Sequence, residues 1–148
     1  MFMLKRYTFW FSAAILFQFA TAIFSALSLF ATITPENETE RQMLELIGTY
    51  KMNAGSGFTP TFGNIFTAFS ACFTFLCLFA ALTNGYLLFK QAEPNLMKGI
   101  LAINVAIFGV CFLVMAVFTF LPPIFFTGLI FFNLLAAYLV VPKIESVV

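Results

Sequence analysis

The sequence predicts an all-α membrane protein: a four-transmembrane-helix bundle running up-down-up-down, with a long outer loop between helices 1 and 2. Three observations carry this. Of 148 residues, 62% are hydrophobic and only 9% charged, whereas a soluble domain carries about 25% charged residues. Residues 7–35, 52–89 and 99–142 hold no charged side chain. As one helix the last of these runs would be about 66 Å long, roughly twice the hydrocarbon thickness of a bilayer. It therefore holds two spans, parted at Pro122-Pro123. Four spans of about 20 residues take more than half the chain and leave room for a single membrane domain, residues 1–148.

Taken in order, span one covers 7–30. Lys5 and Arg6 before an apolar stretch resemble a signal peptide's opening. The run Tyr7–Ile33 exceeds an h-region of about 7–15 residues, so an uncleaved span is expected. The outer loop is 31–63. Thr34-Pro35-Glu36 reads as a helix start, with Thr as N-cap, Pro at N1 and Glu near the positive dipole end. Met43, Leu44, Leu46 and Ile47 give that short helix an apolar face, ended by Gly48. The face rests either on the bundle or on the lipid surface. Asn53–Gly57 and Thr59-Pro60 form a turn-rich connector. Asn37-Glu38-Thr39 is an N-glycosylation sequon, relevant only in a eukaryotic secretory pathway. Span two covers 64–89, span three 99–120 and span four 123–141.

Charge and aromatics set the orientation. Lys5, Arg6, Lys90, Lys98 and Lys143 fall on one side. Only Arg41 and Lys51 fall on the other, among Glu36, Glu38, Glu40 and Glu45. By the positive-inside rule both termini are cytoplasmic. Tyr7, Trp10, Tyr86 and Tyr138 would then sit at the same cytoplasmic interface.

Several chemistries are excluded. The chain has no His and no Asp, which removes histidine-ligated haem, His-based metal sites, Ser-His-Asp triads and histidine proton relays. No cofactor is expected. Cys72, Cys77 and Cys111 form no CxxC pair and read as small packing residues. No Glu, Lys or Arg lies inside a span, which argues against proton coupling or charged-substrate transport. The outer carboxylates read as a solvated helix face, with Arg41 opposing any cation held between them. A net charge of +1 argues against nucleic acid.

What remains is polar patterning within the spans. Thr67, Ser70, Thr74, Cys77, Ala81 and Asn84 recur at steps of three and four and share one face of span two. Ala14, Gln18, Thr21, Ser25 and Ser28 do the same in span one. Span three carries Gly99, Ala102, Ala106, Gly109 and Ala116, with Asn104 off the stripe. Gly128, Asn133, Ala136 and Ala137 spread over a wider arc of span four. Lipid is apolar, so helices associate through small residues and interhelical hydrogen bonds. The stripes should mark the interior and the 23 phenylalanines the lipid-facing shell. The same stripes can serve as a polar cleft. Its candidate ligand-binding residues are Gln18, Thr21, Asn64, Thr67, Ser70, Thr74, Asn84, Asn104 and Asn133. Mutual satisfaction of these side chains is the competing reading.

The run from Gly57 to Ser70, Gly-Phe-Thr-Pro-Thr-Phe-Gly-Asn-Ile-Phe-Thr-Ala-Phe-Ser, resembles the entry to span two in a family of small four-span bacterial inner-membrane proteins. There a Thr-aromatic-Trp-Asp-aromatic-aromatic segment precedes Gly-Phe-Gly and a long apolar helix. Thr61, Phe62, Phe66 and Phe69 fit. Gly63 stands at the Trp, Asn64 at the Asp, and Ala68 and Ser70 at the glycines. The resemblance implies a bacterial cytoplasmic-membrane setting and the same four-helix topology, and lends no activity.

The expected function is a non-enzymatic integral membrane protein, either an accessory subunit or a binder of lipid or another hydrophobic molecule. Its expected partners are membrane lipids, a second copy or a larger membrane complex. A carrier or pore for a small neutral solute, using Gln18, Asn104 and Asn133, is the first alternative. A membrane enzyme acting on lipid through the outer carboxylates and Asn64 is the second.

Overall fold

Four helices of this chain are long and apolar enough to cross a bilayer: Tyr7–Ser28, Phe62–Phe89, Pro94–Phe118 and Leu121–Val140. The computed structural model describes residues 2–32, 34–53 and 55–141, with side chains described from Tyr7 onward. Ile33, Ala54 and Lys143 lie outside the described residues, as do the side chains of Lys5 and Arg6. The described residues form five α-helices: α1 (Phe2–Ser28), α2 (Glu38–Thr49), α3 (Phe62–Phe89), α4 (Pro94–Phe118) and α5 (Leu121–Val140). They contain no strand, only an isolated antiparallel bridge between Lys51 and Thr61.

Local chemistry moves several boundaries away from the sequence expectation. The N-cap of α2 is Asn37, not Thr34. Asn37 Oδ1 accepts from Glu40 N at 2.9 Å, while Glu40 Oε2 accepts from Glu36 N at 2.7 Å. The first bond caps the helix, and the second resembles half of a capping box shifted by one residue, since Glu40 reaches Glu36 rather than the cap itself. The helix also continues one residue past Gly48. Thr61 Oγ1 accepts from Asn64 N at 3.2 Å, so α3 opens at Phe62 rather than Asn64. Pro94 stands at the first position of α4, where a missing N–H costs nothing. That start draws Lys98 into the helix.

The break between α4 and α5 falls at Thr119-Phe120, not at the prolines. Thr119 N and Oγ1 both donate to Met115 O, at 3.0 and 2.7 Å, closing the last turn of α4. Pro122 and Pro123 occupy the first turn of α5, where backbone donors have no intrahelical partner.

The chain divides into two compact units, Met1–Thr21 with Cys77–Val148, and Ala22–Leu76. The first holds a buried core of Tyr7, Phe11, Ala14 and Ile15 from α1, Met97, Leu101 and Phe108 from α4, Ile130, Leu134 and Ala137 from α5, and Val141 after it. Phe11 and Phe108 correct the expectation that phenylalanine marks only the outer shell. Within this unit α4 and α5 pack as an antiparallel hairpin. Lys98 Nζ lies 5.8 Å from the Tyr138 ring, joining the start of α4 to the end of α5. At mid-length, a methyl group on Gly109 would meet the Phe131 ring at 3.0 Å, and one on Gly128 the Phe112 ring at 3.1 Å. The two rings stack 6.0 Å apart, 8° from parallel. Each helix thus lays an aromatic ring over its partner's glycine.

The small-residue stripe expected to face inward from α4 is corrected too. Gly99, Ala102, Ala106 and Ala116 are exposed, and Gly109 is half-buried. The inward face is Met97, Leu101, Asn104 and Phe108, at steps of four, three and four. Long side chains fill the space that close backbone contact would have removed.

The second unit contains α2 and the loop closed by Met52 N donating to Pro60 O at 2.9 Å. Gly55 and Gly57 have φ of +83° and +82°, a region glycine enters without steric cost. Tyr50, Phe62 and Phe66 stack successively at 6.3 and 6.5 Å. Among the described residues of this unit, Ala22 alone is buried.

Candidate functional site

Three amide side chains from three helices meet inside the first unit. Gln18 of α1 and Asn84 of α3 are 0% and 1% exposed, and Asn104 of α4 is half-buried. Asn84 Nδ2 donates to Gln18 Oε1 at 3.2 Å and to Asn104 Oδ1 at 3.0 Å. Asn104 Nδ2 donates back to Asn84 Oδ1 at 3.4 Å and to the backbone carbonyl of Ile100 at 2.9 Å. Asn84 is the hub.

One donor is left over. Gln18 Nε2 is buried and has no hydrogen-bond partner among the described residues. A buried unpaired donor ordinarily costs about 1–3 kcal/mol, so native interiors rarely keep one without a reason. The helix faces explain how the cluster assembles. Ala14, Gln18 and Thr21 share the buried face of α1, and Cys77, Ala81 and Asn84 that of α3. Small residues one turn from each amide let the long side chains reach between helices.

The other candidate residues divide by what their polar atoms bond. Thr21 Oγ1 donates to Phe17 O at 2.7 Å, and Asn133 Nδ2 to Leu129 O at 2.7 Å. Both are buried and both turn back onto their own helices. Asn133 therefore makes no bond to Gln18 or Asn104, although sequence reading grouped the three. Thr127, buried on α5 and not anticipated, donates in the same way to Pro123 O at 2.7 Å. In the second unit the Thr74 hydroxyl lies 2.8 Å from Ser25 Oγ and donates to Ser70 O at 2.9 Å. Ser70 is half-buried, while Asn64 and Thr67 are exposed.

Two of the outer carboxylates, Glu38 and Glu40, are engaged locally. Arg41 donates to Glu38 through Nε at 2.9 Å and Nη2 at 2.7 Å, and Gln42 Nε2 donates at 3.2 Å. The Arg41 guanidinium, then the Gln42 amide, hold the Glu38 carboxyl below the usual carboxylate range. Glu40 caps the start of α2. No group of three His, Cys, Asp or Glu among the described residues could hold a metal ion.

The three amides can hydrogen-bond a neutral polar atom, and none of them is a titratable group that could transfer a proton. Sequence reading placed Asn104 off the stripe of its helix because that stripe counted small residues. The spacing of Met97, Leu101, Asn104 and Phe108 was the signal that would have found its inward face. The chain matches no family model, no curated protein and no solved structure.

Proposed function

We propose that the chain is a non-enzymatic, multi-pass protein of a bacterial inner membrane that binds a lipid-like or other hydrophobic molecule. Its four long helices run up-down-up-down, with both termini cytoplasmic. The observation that carries the binding role is the buried Gln18–Asn84–Asn104 cluster with its unsatisfied donor. Helix association alone would be served as well by amides that close on one another, as Asn84 and Asn104 do. A donor kept free in an apolar interior is suited to a guest.

The orientation draws support from Lys90 Nζ over the Tyr86 ring and Lys98 Nζ over Tyr138, each at 5.8 Å. Lysine and tyrosine paired at helix ends are the composition of a membrane–water interface. The exposed surface of the long helices is rich in large apolar side chains, among them Phe69, Phe75, Phe79, Val117 and Leu139. In water such a surface would drive aggregation, and in a bilayer it faces solvent of its own kind.

Purification in a mild detergent, followed by mass spectrometry of co-purifying small molecules and proteins, tests the reading. A hydrophobic molecule retained at a fixed ratio is the expected result. A fixed protein partner with no small molecule would move the role to that of an accessory subunit. Solute flux into proteoliposomes, abolished by Asn104→Leu, would replace binding by transport.

A further inference from the structure

The direction of every bond in the amide cluster follows from one fixed point. Ile100 O is a backbone carbonyl and can only accept, so the Asn104 atom 2.9 Å away must be Nδ2. Asn104 then presents Oδ1 to Asn84, which must answer with Nδ2 at 3.0 Å. Turning the Asn84 amide over would set donor against donor and acceptor against acceptor across that pair. Asn84 Nδ2 thus faces Gln18, which must present Oε1 at 3.2 Å. The amide of Gln18 has no freedom left: its NH2 group points away from the cluster, with both protons unmatched.

We infer that Gln18 Nε2 is the recognition donor for an uncharged molecule with an apolar body and a carbonyl oxygen. This rests on the binding role proposed above and names its ligand class. The oxygen must accept, because the free group only donates. The molecule must be neutral, because no Lys, Arg or Glu lies in the helix stretches around the cluster to balance a charge, and an unbalanced ion within the hydrocarbon is costly. Depth separates two sources of such a carbonyl. Gln18 stands near the middle of Tyr7–Ser28, about 16 Å along the helix from its start. The hydrocarbon half-thickness is about 15 Å, and glycerolipid esters sit at its edge. A free hydrophobic molecule reaches Gln18, while the ester of a bilayer lipid stays short of it.

The test uses the full chain in vesicles of di-ether phosphatidylcholine, whose bilayer contains no carbonyl. A long-chain methyl ketone, ¹³C-labelled at the carbonyl, is added, with the alkane of equal length as control. The ketone should raise the thermal midpoint saturably and its carbonyl stretch should move to lower wavenumber, whereas the alkane should do neither. Gln18→Met keeps the length and removes the donor, and should abolish both effects. Gln42→Met, on exposed α2, should keep them. A higher midpoint in di-ester vesicles without ketone, lost in Gln18→Met, would assign the same donor to a lipid ester. Equal responses to ketone and alkane, or an unshifted carbonyl stretch on the wild-type chain, would overturn the assignment even if Gln18→Met failed to fold. So would co-purification of a molecule lacking any acceptor oxygen, which would leave the binding role itself standing.

Discussion

The two compact units share the apolar helices α1 and α3 and handle polar side chains differently. In the unit of Met1–Thr21 and Cys77–Val148, the amides of Gln18, Asn84 and Asn104 reach across helices, the first two of them fully buried. In the unit of Ala22–Leu76, polar groups are mostly exposed or bonded within their own turn, apart from the single contact of Thr74 with Ser25. The contrast runs through one helix. From Cys77 onward the stripe of α3 is buried at Cys77, Ala81 and Asn84, while its earlier members Thr67, Ser70 and Thr74 are exposed or half-buried. A polar stripe at helical spacing therefore identifies a face, and neighbouring helices decide how much of it becomes interior. Each amide also has more bonding capacity than a hydroxyl, which lets three of them form a network.

The largest test of that difference is Asn84→Leu. It removes every bond at the hub and leaves Gln18 Oε1 and Asn104 Oδ1 facing an apolar side chain. Interhelical bonds in membrane proteins contribute about 0.6 kcal/mol on average and up to about 1.7. Loss of the hub should cost about 2–3 kcal/mol, read as a lower thermal midpoint in mild detergent. A change below about 0.5 kcal/mol would mean that the cluster adds nothing beyond shape.

Next in size is the hairpin of the same unit, where packing rather than polarity is at stake. Gly109→Val adds two methyl groups to a Cβ that would itself lie 3.0 Å from the Phe131 ring. The ring cannot withdraw freely, because it stacks on Phe112 and lies 5.2 Å from Phe132. Overpacking of this kind costs about 1–3 kcal/mol, and about 2 is expected in the same melts. Phe131→Leu, made on the Gly109→Val background, should recover part of the loss, since neighbouring changes are not additive. No recovery would locate the strain elsewhere.

The four apolar helices were legible in the sequence because their signal is the absence of charge, which tertiary context does not alter. The burial of Gln18, Thr21, Asn84 and Asn133 was legible for a related reason: polar side chains in long apolar helices avoid lipid. Asn37 was not read as a cap because Thr34-Pro35 offered a competing start, and the bond from Glu40 N to Asn37 Oδ1 decides between them. The inward face of α4 was missed because small size was taken as its marker, whereas Met97 and Leu101 fill that face. The free donor on Gln18 was beyond any sequence pattern. It depends on which carbonyl Asn104 meets, a fact of three-dimensional register.

The smallest effect belongs to the second unit. Thr74 has one hydroxyl proton, and Ser70 O, 2.9 Å away in the same helix, is a ready acceptor for it. The contact with Ser25 Oγ at 2.8 Å then depends on the serine's proton. Thr74→Val keeps the branched shape and removes a single interhelical bond, for an expected loss of about 0.6 kcal/mol. Ser25→Ala should cost a similar amount, and the double variant no more than either alone, because both remove the same bond. Each partner is only half-buried, so a hydroxyl left alone is not stranded as an amide would be. If Thr74→Val instead matched Asn84→Leu, the two units would share one kind of polar interior, and the distinction between a hydroxyl stripe and a buried amide cluster would fail.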